Sequence, residues 1–120
     1  MKYMVMTFGS AEAGLEAMGK EWMLEMFQFM HKLDEDLKKS GELVDAQGLA
    51  DCSQAKTVRL IDGAPVPTDG PFAEAKESLV GYWIVDVDSE ARALEIASRI
   101  VAFVKVPIEV RRVMDAPPDL

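Results

Sequence analysis

At 120 residues, with a net charge of −8 and a pI near 4.6, the chain is long enough for one real core and too short for two ordinary domains. Its 49% hydrophobic and 28% charged residues exclude general disorder, and the lack of a clustered basic stripe argues against direct binding of nucleic acid. Cys52 is the only cysteine, so an internal disulfide and a cysteine-based metal site are excluded.

Tyr3 to Phe8 is apolar on both faces, as a central strand requires, and Gly9-Ser10 closes it. This opening segment is too short and too β-like for a signal sequence. With no apolar run near membrane-span length, a cytoplasmic protein is expected. From about Lys20 to Lys39, Trp22, Met26, Met30, Leu33 and Leu37 recur at helical spacing and form one apolar face. Gly41 ends this helix after two lysines that suit its negative end. A short strand is expected over Leu43 to Leu49 and a clearer one over Lys56 to Ile61, with Asp62-Gly63 as the hairpin turn. The return segment Ala64 to Thr68 carries Pro65 and Pro67, which confine it to an edge or take it out of the sheet.

Leu79 to Val87 is the next strong strand. Ser89 caps a second helix, with Leu94, Ile96, Ala97, Ile100 and Val101 expected on its buried side, and Pro107 to Val113 is the last strand. Two helices flanked by strands point to an α+β, ferredoxin-like βαβ…βαβ sandwich forming a single domain over residues 1–120. Right-handed crossovers place both helices on one sheet face. The other face would then stay apolar and wet unless a second copy covered it, so a homodimer is expected.

Between the last two strand pairs lies Thr68-Asp69-Gly70-Pro71-Phe72-Ala73-Glu74-Ala75-Lys76-Glu77, which concentrates turn formers, an aromatic and alternating charges. Asp bonds its own downstream amides, Gly reaches backbone angles closed to other residues, and Pro fixes the next φ, so the turn is rigid. Asp69 therefore has two readings of similar weight. It is either an Asx-type turn residue or a general base and ligand anchor at the rim of a cavity that Phe72 would wall. Glu74, Lys76 and Glu77 read as surface charges, with Arg59 or Arg111 as possible ion-pair partners.

This segment resembles the Asp-Gly-Pro-Phe signature of the DGPF branch of YCII-related proteins. Ser40-Gly41-Glu42-Leu43, Gly48-Leu49, Thr57-Val58-Arg59, Gly81-Tyr82-Trp83-Ile84-Val85 and Ile108-Glu109-Val110-Arg111 fall in the matching order, so the resemblance covers nearly the whole chain. It departs from the branch at Arg111-Arg112, where Arg-Pro is usual. The resemblance implies a ferredoxin-like fold dimerising as an α+β barrel. It also implies association with an extracytoplasmic-function sigma factor, for which an acidic surface would be electrostatically suited.

YCII-like proteins outside the branch pair a first-helix His with a later Asp as acid and base. Here the corresponding residues would be His31, one position out of register, and Asp69; one position turns a helical side chain by about 100°. The residues alone allow His31 to be a solvated histidine beside Asp34 and Glu35, or to line a groove with Phe27 and exchange protons with a ligand. Phe72, Phe27 and Arg59 complete the ligand-side candidates. No residue pattern calls for a metal or cofactor, and Cys52, beside an acid and a hydroxyl, reads as chemically inert. The expectation is a small-molecule binder, or an acid–base enzyme built on Asp69; the alternative is a regulatory interaction protein.

Overall fold

Strand β1 (Lys2–Phe8) runs through the middle of a four-stranded antiparallel sheet, in a computed structural model that describes residues 1–74 and 77–119. The sheet order is β2 (Leu43–Gly48), β5 (Leu79–Asp86), β1, β6 (Glu109–Arg112). Helices α1 (Ala11–Ser40) and α2 (Glu90–Val104) connect β1 to β2 and β5 to β6. This α+β order, with β1 and β5 central and antiparallel, is consistent with the ferredoxin-like plan.

The core forms where one sheet face meets both helices. Tyr3, Val5, Trp83 and Val85 from the strands enclose Leu33 and Leu37 of α1 with Ala93, Ile96, Ala97 and Ile100 of α2. Val5, Val85, Ala93 and Ile100 are wholly buried. The Trp83 indole Nε1 donates to Asp34 Oδ1 at 2.7 Å, satisfying the one polar atom that this large side chain carries inward. Phe103 of α2 stacks on Phe29 and Trp22 of α1, with centroids 4.6 and 5.9 Å away, and locks the helices together. A bidentate pair from Arg92 to Glu42, at 2.8 and 2.9 Å, ties α2 to the start of β2.

Two helical expectations are corrected. Helix α1 begins at Ala11, nine residues ahead of Lys20 by sequence number, because Ser10 caps it by accepting from the Ala13 amide and the Ala- and Glu-rich first turns favour helix. At Gly19 the helix breaks, with φ 86° and ψ 168°, a conformation essentially reserved for glycine. The apolar periodicity from Lys20 onward thus marks only the second limb. On α2, Leu94 and Val101 are 48% and 36% exposed, since the buried stripe runs Ala93, Ile96, Ala97, Ile100 instead.

Strands β3 (Lys56–Ile61) and β4 (Ala64–Asp69) leave the main sheet and form a separate two-stranded hairpin. Asp62 and Gly63 have φ of 50° and 80°, the positive pair that a two-residue hairpin turn demands. Counting outward from that turn, Ile61 with Ala64 and Arg59 with Val66 are hydrogen-bonded pairs, so Pro65 and Pro67 fall at the alternate positions, opposite Leu60 and Val58. Their missing N–H groups would have pointed away from β3, which is why the hairpin tolerates both prolines.

Candidate functional site

The Asp69-Gly70-Pro71-Phe72 turn is held from both sides. Gly70 N–H donates to Ala55 O at 2.9 Å, and the Thr57 hydroxyl donates to Gly70 O at 2.9 Å. Downstream, the buried Ser78 hydroxyl donates to Glu74 O at 3.1 Å, while Ser78 O accepts from Gly9 N–H at 2.8 Å. Ser78 therefore seats the segment against the end of β1, where α1 begins.

There Asp51 fastens two loops together. Its Oδ1 accepts from the Ser10 hydroxyl at 2.9 Å and the Glu12 amide at 3.3 Å, and its Oδ2 accepts from the Ser53 amide at 3.0 Å. The Ser53 backbone N–H, then the Ser53 side chain and the Ser10 hydroxyl, hold this carboxyl far below the usual carboxylate range. Asp51 is an anchor kept ionised, and its acceptor capacity is spent on the start of α1 and on the 3₁₀ turn Cys52–Gln54.

Two open cavities flank this anchor and share Ser10. One, of about 580 Å³, is bounded by Asp51, Cys52 and Ser53 on one side and by Pro71, Phe72, Ala73 and Glu74 on the other. The second, of about 760 Å³, lies between Phe8, Gly9, Ala13, Val106 and Pro107, with Glu77 as its charged member. Among the described residues, the charged members of the two walls are all acidic. The Cys52 thiol, half-buried on the smaller cavity, donates to Asp51 Oδ2 at 3.9 Å.

The sequence candidates are distributed differently. Asp69 ends β4 with its side chain 90% exposed, and its carboxylate accepts from Lys56 Nζ across the hairpin rather than from turn amides. Pro71 offers no amide, and Gly70 N–H is already given to Ala55 O. His31 lies on the outside of α1, 78% exposed, with Nε2 3.2 Å from Glu35 Oε1 one turn on. Phe27, one turn earlier, is 56% exposed, and Arg59 is exposed on β3. Asp69 and His31 thus stand on separate elements, and neither lines the two cavities. Phe72 does reach a cavity wall, and it is 88% exposed. Arg111 pairs with Glu109 at 2.7 Å rather than with the turn's acids. Lys76 lies outside the described residues.

The residues that build the site, Ser10, Asp51 and Ser78, were not candidates in the sequence. Ser10 directly precedes an Ala- and Glu-rich helix start, which is a capping signal, and Asp51-Cys52-Ser53 has the form of an Asx turn. Among the described residues, no group of three or more His, Cys, Asp or Glu side chains is placed to hold a metal, and no helix is long and apolar enough to cross a membrane.

An uncharacterized protein of Rhizobium meliloti (strain 1021) is 30% identical over 97 residues, which span 81% of this chain and 77% of that protein. The sequence profile of the YCII-related domain matches residues 1–116, nearly from end to end, and with the sheet order and its two connecting helices this makes the chain a member of the YCII-related domain family.

Proposed function

We propose that this protein binds a small organic molecule in the cavity between the Asp51 anchor and the Pro71-Phe72 wall. The observation that carries the reading is an open cavity of about 580 Å³ with rigid sides. One side is fixed by a carboxylate clip and the other by Ser78. Glu12 and Asp51 border it, so a neutral or cationic ligand is favoured over an anion. Phe72 supplies an aromatic face that is solvent-exposed until a ligand covers it. Binding is better supported than catalysis, because proton transfer by Asp69 with His31 would need the hairpin and the outer face of α1 to meet at one ligand.

The protein acts, on this reading, as a homodimer. Across the sheet face opposite the helices the register lines up Asp45, Ile84, Met4 and Arg111 in one row and Gln47, Tyr82, Met6 and Glu109 in the next, with Met6 buried and Met4, Tyr82 and Ile84 half-buried. Apolar groups thus occupy the two central strands and polar groups the two edges, the pattern of an interface core and rim. A two-fold axis parallel to the strands would lay the Asp45 edge of one copy over the Arg111 edge of the other, pairing opposite charges.

A thermal-shift screen of neutral and cationic aromatic compounds tests the binding reading. Compounds that raise the melting temperature should bind Phe72→Ala about tenfold more weakly, although that variant alone melts within about 2 °C of the parent because the ring is exposed. Equal affinity for parent and variant would place the ligand elsewhere.

A further inference from the structure

The β3–β4 hairpin is the least supported part of the molecule. An isolated two-stranded hairpin is marginal in water, and this one makes only sparse contacts with the other elements. Its two faces differ. Val58, Leu60, Pro65 and Pro67 lie on one face, because they are direct cross-strand partners, and Val58 and Leu60 are 66% and 74% exposed. The molecule is correspondingly splayed, measuring 50 × 48 × 20 Å, with a radius of gyration of 16.5 Å where a compact chain of this length has about 14 Å.

We propose that the hairpin is an arm that closes its Val58, Leu60, Pro65 and Pro67 face onto a second copy of this chain; this rests on the homodimer reading above and assigns the arm its part in that dimer. Three observations select this occupant. The first is area. Four strands about 4.8 Å apart and six residues long, at about 3.4 Å each, give the open sheet face a footprint of about 400 Å². A stable interface takes about 800 Å² per partner. The hairpin face adds about 200 Å² by the same measure before side-chain relief is counted, raising the footprint to about 600 Å², most of what a stable pair needs.

The second is charge. The chain as a whole carries −8, but the hairpin holds Lys56 and Arg59 against Asp62 and Asp69 and is neutral. It is a segment able to approach another acidic copy without repulsion, and the Lys56–Asp69 pair keeps its base neutral. The third is the hairpin's edge. Pro65 and Pro67 remove the outward N–H groups of β4, so strands do not add along that edge and the hairpin is left to associate through its apolar face.

Sedimentation equilibrium of the parent, Leu60→Asp and Leu60→Ser tests this. The parent is expected to be a micromolar or tighter dimer, with both variants folded by circular dichroism and their dimer dissociation constants raised at least about tenfold, Asp more than Ser. A parent dimer whose dissociation constant stays within about twofold in both variants overturns the arm and leaves the dimer standing. A parent that remains monomeric at about 100 µM overturns the dimer itself, and the arm with it.

Discussion

Ile100 and Val58 are both β-branched aliphatic residues, yet Ile100 is wholly enclosed between α2 and the sheet while Val58 is 66% exposed on the hairpin. The difference separates two regions with different physics. The sheet with its helices satisfies its hydrophobic pattern internally, down to the Trp83 indole and the Arg92–Glu42 bridge. The hairpin has ideal local chemistry, with a correct turn, matched register and prolines at permitted positions, but little surface among the described residues to pack on. Local rules form a strand pair; they do not supply its cover.

The contrast should be largest in side-chain truncation. Ile100→Ala is expected to cost about 2–5 kcal/mol in urea unfolding, from lost burial and the cavity left behind. Val58→Ala, measured at a concentration low enough to keep the chain monomeric, should fall within about 0.5 kcal/mol of the parent. A comparable loss at both positions would mean the hairpin belongs to the same cooperative core.

Backbone substitutions within α1 sharpen the boundary next. Gly14 sits in regular helix, where an added Cβ would meet Met23 Sδ at an ordinary 3.9 Å, so Gly14→Ala should stabilise by up to about 1 kcal/mol. Gly19→Ala has free space but the wrong backbone angles and should destabilise by about 1–3 kcal/mol. Two gains of equal size would show that α1 straightens through Gly19 in solution.

The smallest effect concerns acid. Hydrogen bonds from the Arg92 guanidinium, more than the Ser40 hydroxyl, hold the Glu42 carboxyl below its ordinary value of 4.5. A depressed carboxyl contributes stability that is present above the unfolded value and lost as pH falls through the folded one. Glu42→Gln should therefore cost about 1 kcal/mol at pH 7, and parent and variant should converge as the pH falls through the lowered folded-state value. A gap that persists in acid would assign the loss to packing rather than charge.

What the sequence reveals follows the same division. Lys56 to Ile61 and the Asp62-Gly63 turn are legible to the residue because hairpin chemistry is local. The stripe from Trp22 to Leu37 is legible because periodicity is local as well. The Ser10–Asp51 clip joins positions 41 apart, so neither partner reveals the other along the chain. Leu94 and Val101 fit a helical stripe nearly as well as the Ala93 and Ile100 actually buried, since one position is only about 100° of turn and the sheet decides which face docks. Asp69 was conspicuous because a tight turn concentrates conspicuous residues; its carboxylate faces Lys56, and the cavity takes Phe72 from the same turn instead.

The most direct measurement is hydrogen exchange by mass spectrometry on peptides spanning residues 56–69 and 79–87 across a hundredfold range of protein concentration. The account predicts slow, concentration-independent exchange in the central strand and hairpin exchange that slows as concentration rises, because only association covers the hairpin. Hairpin exchange that is equally slow at every concentration, or equally fast at every one, would contradict it.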